Sequence, residues 1–258
     1  EATRTELTQL FDMRVLEPVY QKKHELPNVL PTKIVYKRKY NKDGTLNKYK
    51  ARICSRGDKQ KAGVDYNQTF SHVTQQPSRM LMYSRCIEED QIEAVEFDVK
   101  GAFLTAGMEK GQKVYVTLPK GVGKLLGYDD DQVFLLHKAL YGLKQAPRLF
   151  NNEFTDHLRS IGLTQSKVDP CVFYIREGNS RLELSFHVDD GMIMSNDLSL
   201  RDAIVKKIQS KYDLGTLRPL SHFLGAEIQH DHRAGVLSIT MKNKIRQLAE
   251  DYKEYDLT

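Results

Sequence analysis

Two adjacent carboxylates stand in the middle of an otherwise largely apolar run, Leu182-Glu183-Leu184-Ser185-Phe186-His187-Val188-Asp189-Asp190-Gly191-Met192-Ile193-Met194-Ser195. The flanks read as strands, so the segment is expected to run strand, turn, strand with Asp189 and Asp190 at its centre. Neighbouring anions repel, and lost hydration between apolar walls adds to the penalty, so a fold that keeps them must meet them with positive charge. A hard divalent cation such as Mg2+ prefers carboxylate oxygens and supplies that charge. A plain hairpin turn is the other reading, because Asp and Gly are favoured in turns whatever the function. The segment alone leaves both open.

The chain's 258 residues suffice for a sizeable core, either one large domain or two lobes sharing a core. With 40% apolar and 28% charged residues, the composition is that of a folded chain rather than a disordered one. A net charge of +5 is modest, so where the charge lies matters more than its sum. No apolar run approaches the roughly 20 residues a membrane helix needs, and no signal peptide opens the chain, so no membrane partner is expected. The chain begins at Glu1 rather than Met, as expected of a piece of a longer polypeptide. Cys54, Cys86 and Cys171 are odd in number and far apart, which argues against a disulfide framework or a zinc ribbon and for a reducing compartment.

Residues 1–26 carry a short amphipathic pattern (Leu7, Leu10, Phe11, Val15) that predicts one helix and a polar connection, with Pro27 and Pro31 as punctuation before a main domain over 27–258. From Lys33 to Lys61 eleven basic residues face only Asp43 and Asp58. Ile34-Val35-Tyr36 leads into Asn41-Lys42-Asp43-Gly44 and Leu46 to Cys54 leads out, a hairpin signature. Tyr36, Tyr40 and Tyr49 sit among its cations. Such a hairpin suits a phosphate backbone, since cations displace condensed counterions and rings pack on sugars or bases. A lysine-rich edge strand that discourages aggregation is the plainer alternative, though an ordinary edge mixes both signs of charge.

Beyond Pro77, Met80, Leu81, Tyr83, Ser84 and Ile87 predict a helix running to Glu88-Glu89-Asp90. Ile92 to Leu104 reads as a strand ending near Asp98 that turns through Gly101 into a helix. A carboxylate at the carboxyl end of a strand is where open sheets place ligand groups, and it is also ordinary turn chemistry. Short strands follow at Val114–Pro119 and Val133–Leu136, then a helix from Pro147 with Phe150, Phe154, Leu158 and Ile161 inward and a stop at Gly162. Gly142 is expected to permit a ligand's close approach to the backbone, with Lys144 and Arg148 adding positive charge. Later come a helix over Arg201–Tyr212, a hairpin of Phe223–Ile228 and Val236–Thr240 around Ala234-Gly235, and a final helix over Lys242–Tyr252. Strands and helices interleave without a strict βαβ rhythm, which predicts α+β.

In order the chain carries Tyr49-Lys50-Ala51-Arg52, Gly63-Val64-Asp65-Tyr66 with Thr69-Phe70-Ser71, Phe97-Asp98-Val99-Lys100 with Ala102-Phe103-Leu104, Leu140-Tyr141-Gly142-Leu143-Lys144-Gln145-Ala146-Pro147-Arg148, Asp169-Pro170-Cys171, Val188-Asp189-Asp190 and Phe223-Leu224-Gly225. Read together, these motifs resemble the reverse transcriptase domain of copia-type LTR retrotransposon Pol polyproteins. The run from Tyr141 to Arg148 is the most specific of these, and the matches span nearly the whole chain.

The resemblance implies a right-hand polymerase with fingers and palm, the palm an antiparallel sheet backed by helices, and a thumb and ribonuclease H absent or incomplete here. It implies RNA-directed DNA synthesis, with Asp98, Asp189 and Asp190 as catalytic residues and ligands of two Mg2+ ions, Mn2+ serving as a substitute. It places Lys50 and Arg52 on the fingers toward the triphosphate, the N–H groups of Gly101 and Ala102 on phosphates, Phe103 against the sugar, and Tyr141 and Gly142 beside nucleotide and template. Phe103 on pattern alone is equally a core residue. The implied partners are RNA and DNA template-primer, deoxynucleoside triphosphates and the integrase and ribonuclease H of the same polyprotein. The implied location is a cytoplasmic virus-like particle with nuclear entry. The chain departs from the family at His187, where Tyr is usual, at His72, where Pro is usual, and at Leu149-Phe150-Asn151. A histidine at 187 is expected to charge near neutral pH and meet the carboxylates. Three other functions share some of these features: a catalytically impaired nucleic-acid-binding remnant, a two-metal nuclease, and a histidine metal site at His230-Asp231-His232.

Overall fold

The computed structural model describes residues 1–40, 45–88, 92–231 and 233–252. In chain order the elements begin with α1 (Ala2–Asp12), β1 (Leu16–Val19), β2 (Val29–Tyr40), β3 (Leu46–Ser55), α2 (Gln76–Glu88), β4 (Glu93–Asp98) and α3 (Ala102–Thr105). They continue with β5 (Tyr115–Thr117), β6 (Val133–Leu136), α4 (Ala146–Ser160), β7 (Thr164–Gln165), β8 (Val172–Glu177), β9 (Ser180–His187) and β10 (Asp190–Ser195). The last are α5 (Leu198–Gln209), β11 (Arg218–Pro219), β12 (His222–Phe223), β13 (Ala226–Asp231), β14 (Val236–Thr240) and α6 (Lys242–Asp251). The class is α+β, as the interleaving predicts. The chain forms two compact units, Glu1–Ser71 with Gly101–Phe154, and His72–Lys100 with Thr155–Thr258.

The first unit holds a sheet of order β1-β6-β5-β2-β3, antiparallel except where β2 runs parallel to β5. Residues 1–26 are more than a helix and a connection. β1 pairs with β6 from Leu16↔Leu136 to Val19↔Val133, so this segment belongs to the first unit's sheet. Its Pro18 and the polar residues around it hid a strand of only four residues. Nor does Pro31 punctuate: it lies within β2, opposite Thr117, just before the long pairing with β3 begins at Thr32↔Ser55. The predicted turn Asn41–Gly44 lies outside the described residues. The core here gathers Leu7, Leu10, Leu30, Ile53, Val116 and Phe134, all fully buried.

The second unit holds a sheet of order β11-β4-β10-β9-β8-β7 and a smaller one, β12-β13-β14. Leu182, Leu184 and Phe186 are fully buried at period 2 along β9, beside Phe173 of β8, whereas β10 is buried on both faces, with Met192 and Ile193 both fully covered. α2 forms as predicted, and of the residues that signal it Tyr83 is buried, together with Met82 and Cys86, whereas Met80, Leu81 and Ile87 are exposed. The buried three pack with Met194, Phe223 and Ile228. The predicted strand Phe223–Ile228 is broken, because Leu224 (φ 52°) and Gly225 (φ 83°) take the left-handed conformation and turn β12 back onto β13. α5 starts three residues before the predicted Arg201 because Asp197 caps it, accepting hydrogen bonds from Ser199 N and Leu200 N. All three cysteines are free thiols. No helix among the described residues is long and apolar enough to cross a membrane.

Candidate active site

In the second unit, β4 and β10 are neighbours and antiparallel, with Asp98 directly opposite Asp190 and Asp190 opposite His187 on β9. Paired residues point to the same side of a sheet, so Asp98, Asp190 and His187 form one row at its end. Asp189 occupies the two-residue turn with Val188, and its carbonyl accepts a hydrogen bond from Val99 N at 2.7 Å. The Asp98 carbonyl accepts one from Gly215 N at 2.7 Å. Both backbones are therefore held where the carboxylates project. Gly191 makes the pairing feasible: a Cβ there would lie 2.1 Å from the Phe97 ring. Val188 has φ 59°, a left-handed conformation that a β-branched side chain adopts only under strain of about 1–3 kcal/mol.

The electrostatics at this row are those of an anion cluster short of cations. Asp190 reaches solvent as a residue, yet the protein crowds its carboxyl group. Lost hydration, then the charges of Asp189, Asp98 and Glu96, push it up to about 6, with Arg218 opposing. Glu96, which the sequence reading passed over, is buried two residues before Asp98 on the same face. It accepts hydrogen bonds from His222 N at 2.9 Å and Ser221 N at 3.4 Å and pairs with Arg218 at 3.3 Å. Period-2 alternation from Asp98 was the signal that could have found it. His187 does not behave as expected. Burial first, and Arg79 second, lower its pKa, so the ring is held neutral against the weaker pull of Asp189. Among the described residues its buried Nδ1 has no hydrogen-bond partner.

Among the described residues no three His, Cys, Asp or Glu side chains converge closely enough to form a ready metal cage. The donor set nevertheless suits a hard cation: oxygen ligands only, excess negative charge, and a carboxyl pushed toward protonation by lost hydration and by its anionic neighbours. The His230-Asp231-His232 alternative includes His232, which lies outside the described residues.

In the first unit, three residues assigned to the nucleotide meet. The Arg52 guanidinium sits 5.1 Å from the Tyr141 ring centroid, and that ring meets Phe103 edge-on at 5.4 Å. Among the described residues the buried Arg52 Nε has no hydrogen-bond partner, which leaves a donor for an incoming acceptor. Lys50 projects from the same face of β3, two residues away. Gly101 (φ 62°) opens α3, followed by Ala102. Gly142 plays a different part from the one expected: at φ 85°, a Cβ there would lie 2.3 Å from the Ser55 carbonyl oxygen, and one on Gly57 would lie 2.1 Å from the Gly142 oxygen. The backbone that approaches Gly142 is the protein's own.

A buried polar network fixes that turn. Ser55 N donates to the Tyr141 carbonyl, Lys144 N to Gln60 Oε1, and Gln60 Nε2 to Gln145 Oε1, at 2.7–2.9 Å. Gln145 Nε2 in turn donates to the carbonyl of buried Asp65, whose carboxylate takes Asn28 Nδ2 and Lys61 N. Neither added cation stands alone: Arg148 pairs with Glu109, and Lys144 Nζ lies 4.9 Å over the Tyr66 ring.

Comparison with known proteins gives the same direction as the motifs. Residues 19–257 match the family model described as reverse transcriptase (RNA-dependent DNA polymerase). The chain is 34% identical over 196 residues to the retrovirus-related Pol polyprotein from transposon RE1 of Arabidopsis thaliana, covering 75% of this chain and 13% of that one. It is 31% identical over 227 residues to the Pol polyprotein from transposon TNT 1-94 of Nicotiana tabacum, 86% of this chain and 16% of that one. To the transposon Ty1-BR Gag-Pol polyprotein of Saccharomyces cerevisiae it is 26% identical over 258 residues, 96% and 14% respectively. The chain thus spans about one seventh of the length of these relatives.

Proposed function

This chain belongs to the reverse transcriptase (RNA-dependent DNA polymerase) family, and from that premise we propose that it extends a primer 3′-hydroxyl with deoxynucleotides on RNA and DNA templates. The observation that carries the reading is the cross-strand pair Asp98↔Asp190 with Asp189 in the adjoining turn, tied to the end of β4 through Val99 N. The sheet bearing them serves as palm and the basic hairpin β2–β3 as fingers.

Asp98, Asp189 and Asp190 would hold two Mg2+ ions, which when bound activate the hydroxyl, stabilise the leaving pyrophosphate and offset charge on phosphorus. The chain's own residues supply position and field. Lys50 and Arg52 draw the triphosphate, and the unsatisfied Arg52 Nε becomes a donor to a phosphate oxygen. Gly101 and Ala102 offer first-turn N–H groups that no helical carbonyl can take. Phe103, braced edge-on by Tyr141, presents a ring where a 2′-hydroxyl would need room. The Gln60–Gln145 pair keeps Tyr141 and Gly142 in place. The protein acts with the integrase and ribonuclease H of its polyprotein in a cytoplasmic particle.

A catalytically impaired, nucleic-acid-binding remnant is the second reading, favoured by His187, whose ring nitrogen has no partner among the described residues. Primer extension on RNA and on DNA templates with Mg2+ or Mn2+ separates the two. Extension on both is expected; nucleic-acid binding with no extension under either metal supports the remnant.

A further inference from the structure

The hairpin that the sequence presents as one basic, tyrosine-bearing unit has two chemically different faces. Pairing of Lys37↔Lys50, Arg38↔Tyr49 and Lys39↔Lys48 fixes which side chains share a side. One side carries Lys37, Lys39, Lys48, Lys50 and Arg52. Here like charges stand directly opposite one another, an arrangement that is unfavourable until a polyanion covers it. The other side carries Tyr36, Arg38 and Tyr49. Toward its base this second side is covered: Ala51 and Ile53 are buried, Ile53 N donates to Glu6 of α1, and Thr3 bonds the Tyr36 hydroxyl at 3.0 Å. Beyond that point the cover stops, and Tyr36 and Tyr49 are 64% and 59% exposed. Tyr36, Arg38 and Tyr49, with residues 1–3 and part of Lys37, line an open cavity of about 500 Å3.

We propose that this tyrosine face is a stacking platform for unpaired nucleobases, separate from the cationic face that takes phosphate. Two rings and one guanidinium are the groups that stack on base faces, and Arg38 between the rings adds a counter-charge for the strand's phosphates. A duplex does not fit the surface, because paired bases hide their faces in the stack. An added protein strand is disfavoured by the lysines on both strands. The polymerase reading enters in one way only: it supplies the single strand, as template not yet copied.

The test is binding, without metal or nucleotide, so its outcome is independent of whether the chain extends primers. Fluorescence anisotropy would compare a labelled single-stranded oligonucleotide with an abasic strand of equal length, for the parent and for Tyr36→Ala/Tyr49→Ala. The double variant is expected to weaken binding of the base-bearing strand roughly tenfold or more and that of the abasic strand less than about twofold. Lys37→Gln/Lys48→Gln is expected to weaken both strands equally and to flatten the salt dependence. Tyr36→Phe/Tyr49→Phe should bind as the parent does. A parent that does not distinguish the two strands, or a tyrosine double variant that loses both equally or neither, overturns the proposal.

Discussion

Asp190 shows how a single residue's environment reports a role. Its carboxyl is pushed up to about 6, above the ordinary range of about 3.9, so between pH 4 and 6 the folded, metal-free protein holds a proton that the unfolded chain has released. The stability linked to this group is therefore complete below about pH 4 and is lost as pH rises through 6. Thermal unfolding in the presence of chelator should show Tm falling over that window, and Asp190→Asn should flatten the slope. An unchanged slope in the variant would mean that the crowding lies elsewhere. Added Mg2+ should restore Tm above pH 6 and do little below pH 4, where the proton competes with it. Gly142 carries the opposite lesson. Its presence in a recognisable motif suggested room for a ligand, whereas the Ser55 oxygen occupies the place of a Cβ. Gly142→Ala should lower stability by about 2 kcal/mol or more, read from urea unfolding, because left-handed backbone and a backbone clash combine. No residue within the motif announces that clash, since Ser55 and Gly57 arrive from a distant stretch of sequence.

The long elements were legible and the short ones were not. The pairing of β2 with β3 follows from alternating residues around a turn-forming tetrapeptide, and α4 from Phe150, Phe154 and Leu158 at helical spacing, all three fully buried. β1 is four residues with Pro18 inside it, too short for a period to show, and it exists because β6 offers it a partner. For α2 the helix was readable but its inward face was not. Both faces carry large apolar residues, and packing against Met194, Phe223 and Ile228 chose Met82, Tyr83 and Cys86. The turn between β9 and β10 was expected, its strain was not. Asn tolerates the left-handed region that Val188 is forced into, so Val188→Asn should raise stability by about 1 kcal/mol in the same unfolding assay. A fall instead would show that the valine side chain contributes more by packing than its backbone loses.

Across the whole molecule, the candidate site divides between residues the motifs identified and residues that hold them. Asp98, Asp189 and Asp190 come together in the second unit, and Arg52, Tyr141 and Phe103 in the first. Glu96, Gln60, Gln145 and Asp65 supply the support, and sequence gives little sign of them because buried polar groups follow no period. On the proposed function, sugar discrimination belongs to the whole molecule, and Phe103→Val should raise the ratio of ribonucleotide to deoxynucleotide incorporation at least several-fold. No change in that ratio would return Phe103 to a packing role against Tyr141. On the proposed function, Asp98 and Asp190 on paired strands and Asp189 in the adjoining turn serve phosphoryl transfer. The most direct test of that role is single-turnover incorporation of one deoxynucleotide by the parent, Asp98→Ala and Asp189→Ala, with template-primer affinity measured on the same samples. The account predicts that each variant incorporates at least about a hundredfold more slowly while its affinity stays within about twofold. Incorporation by either variant near the parent rate would contradict it.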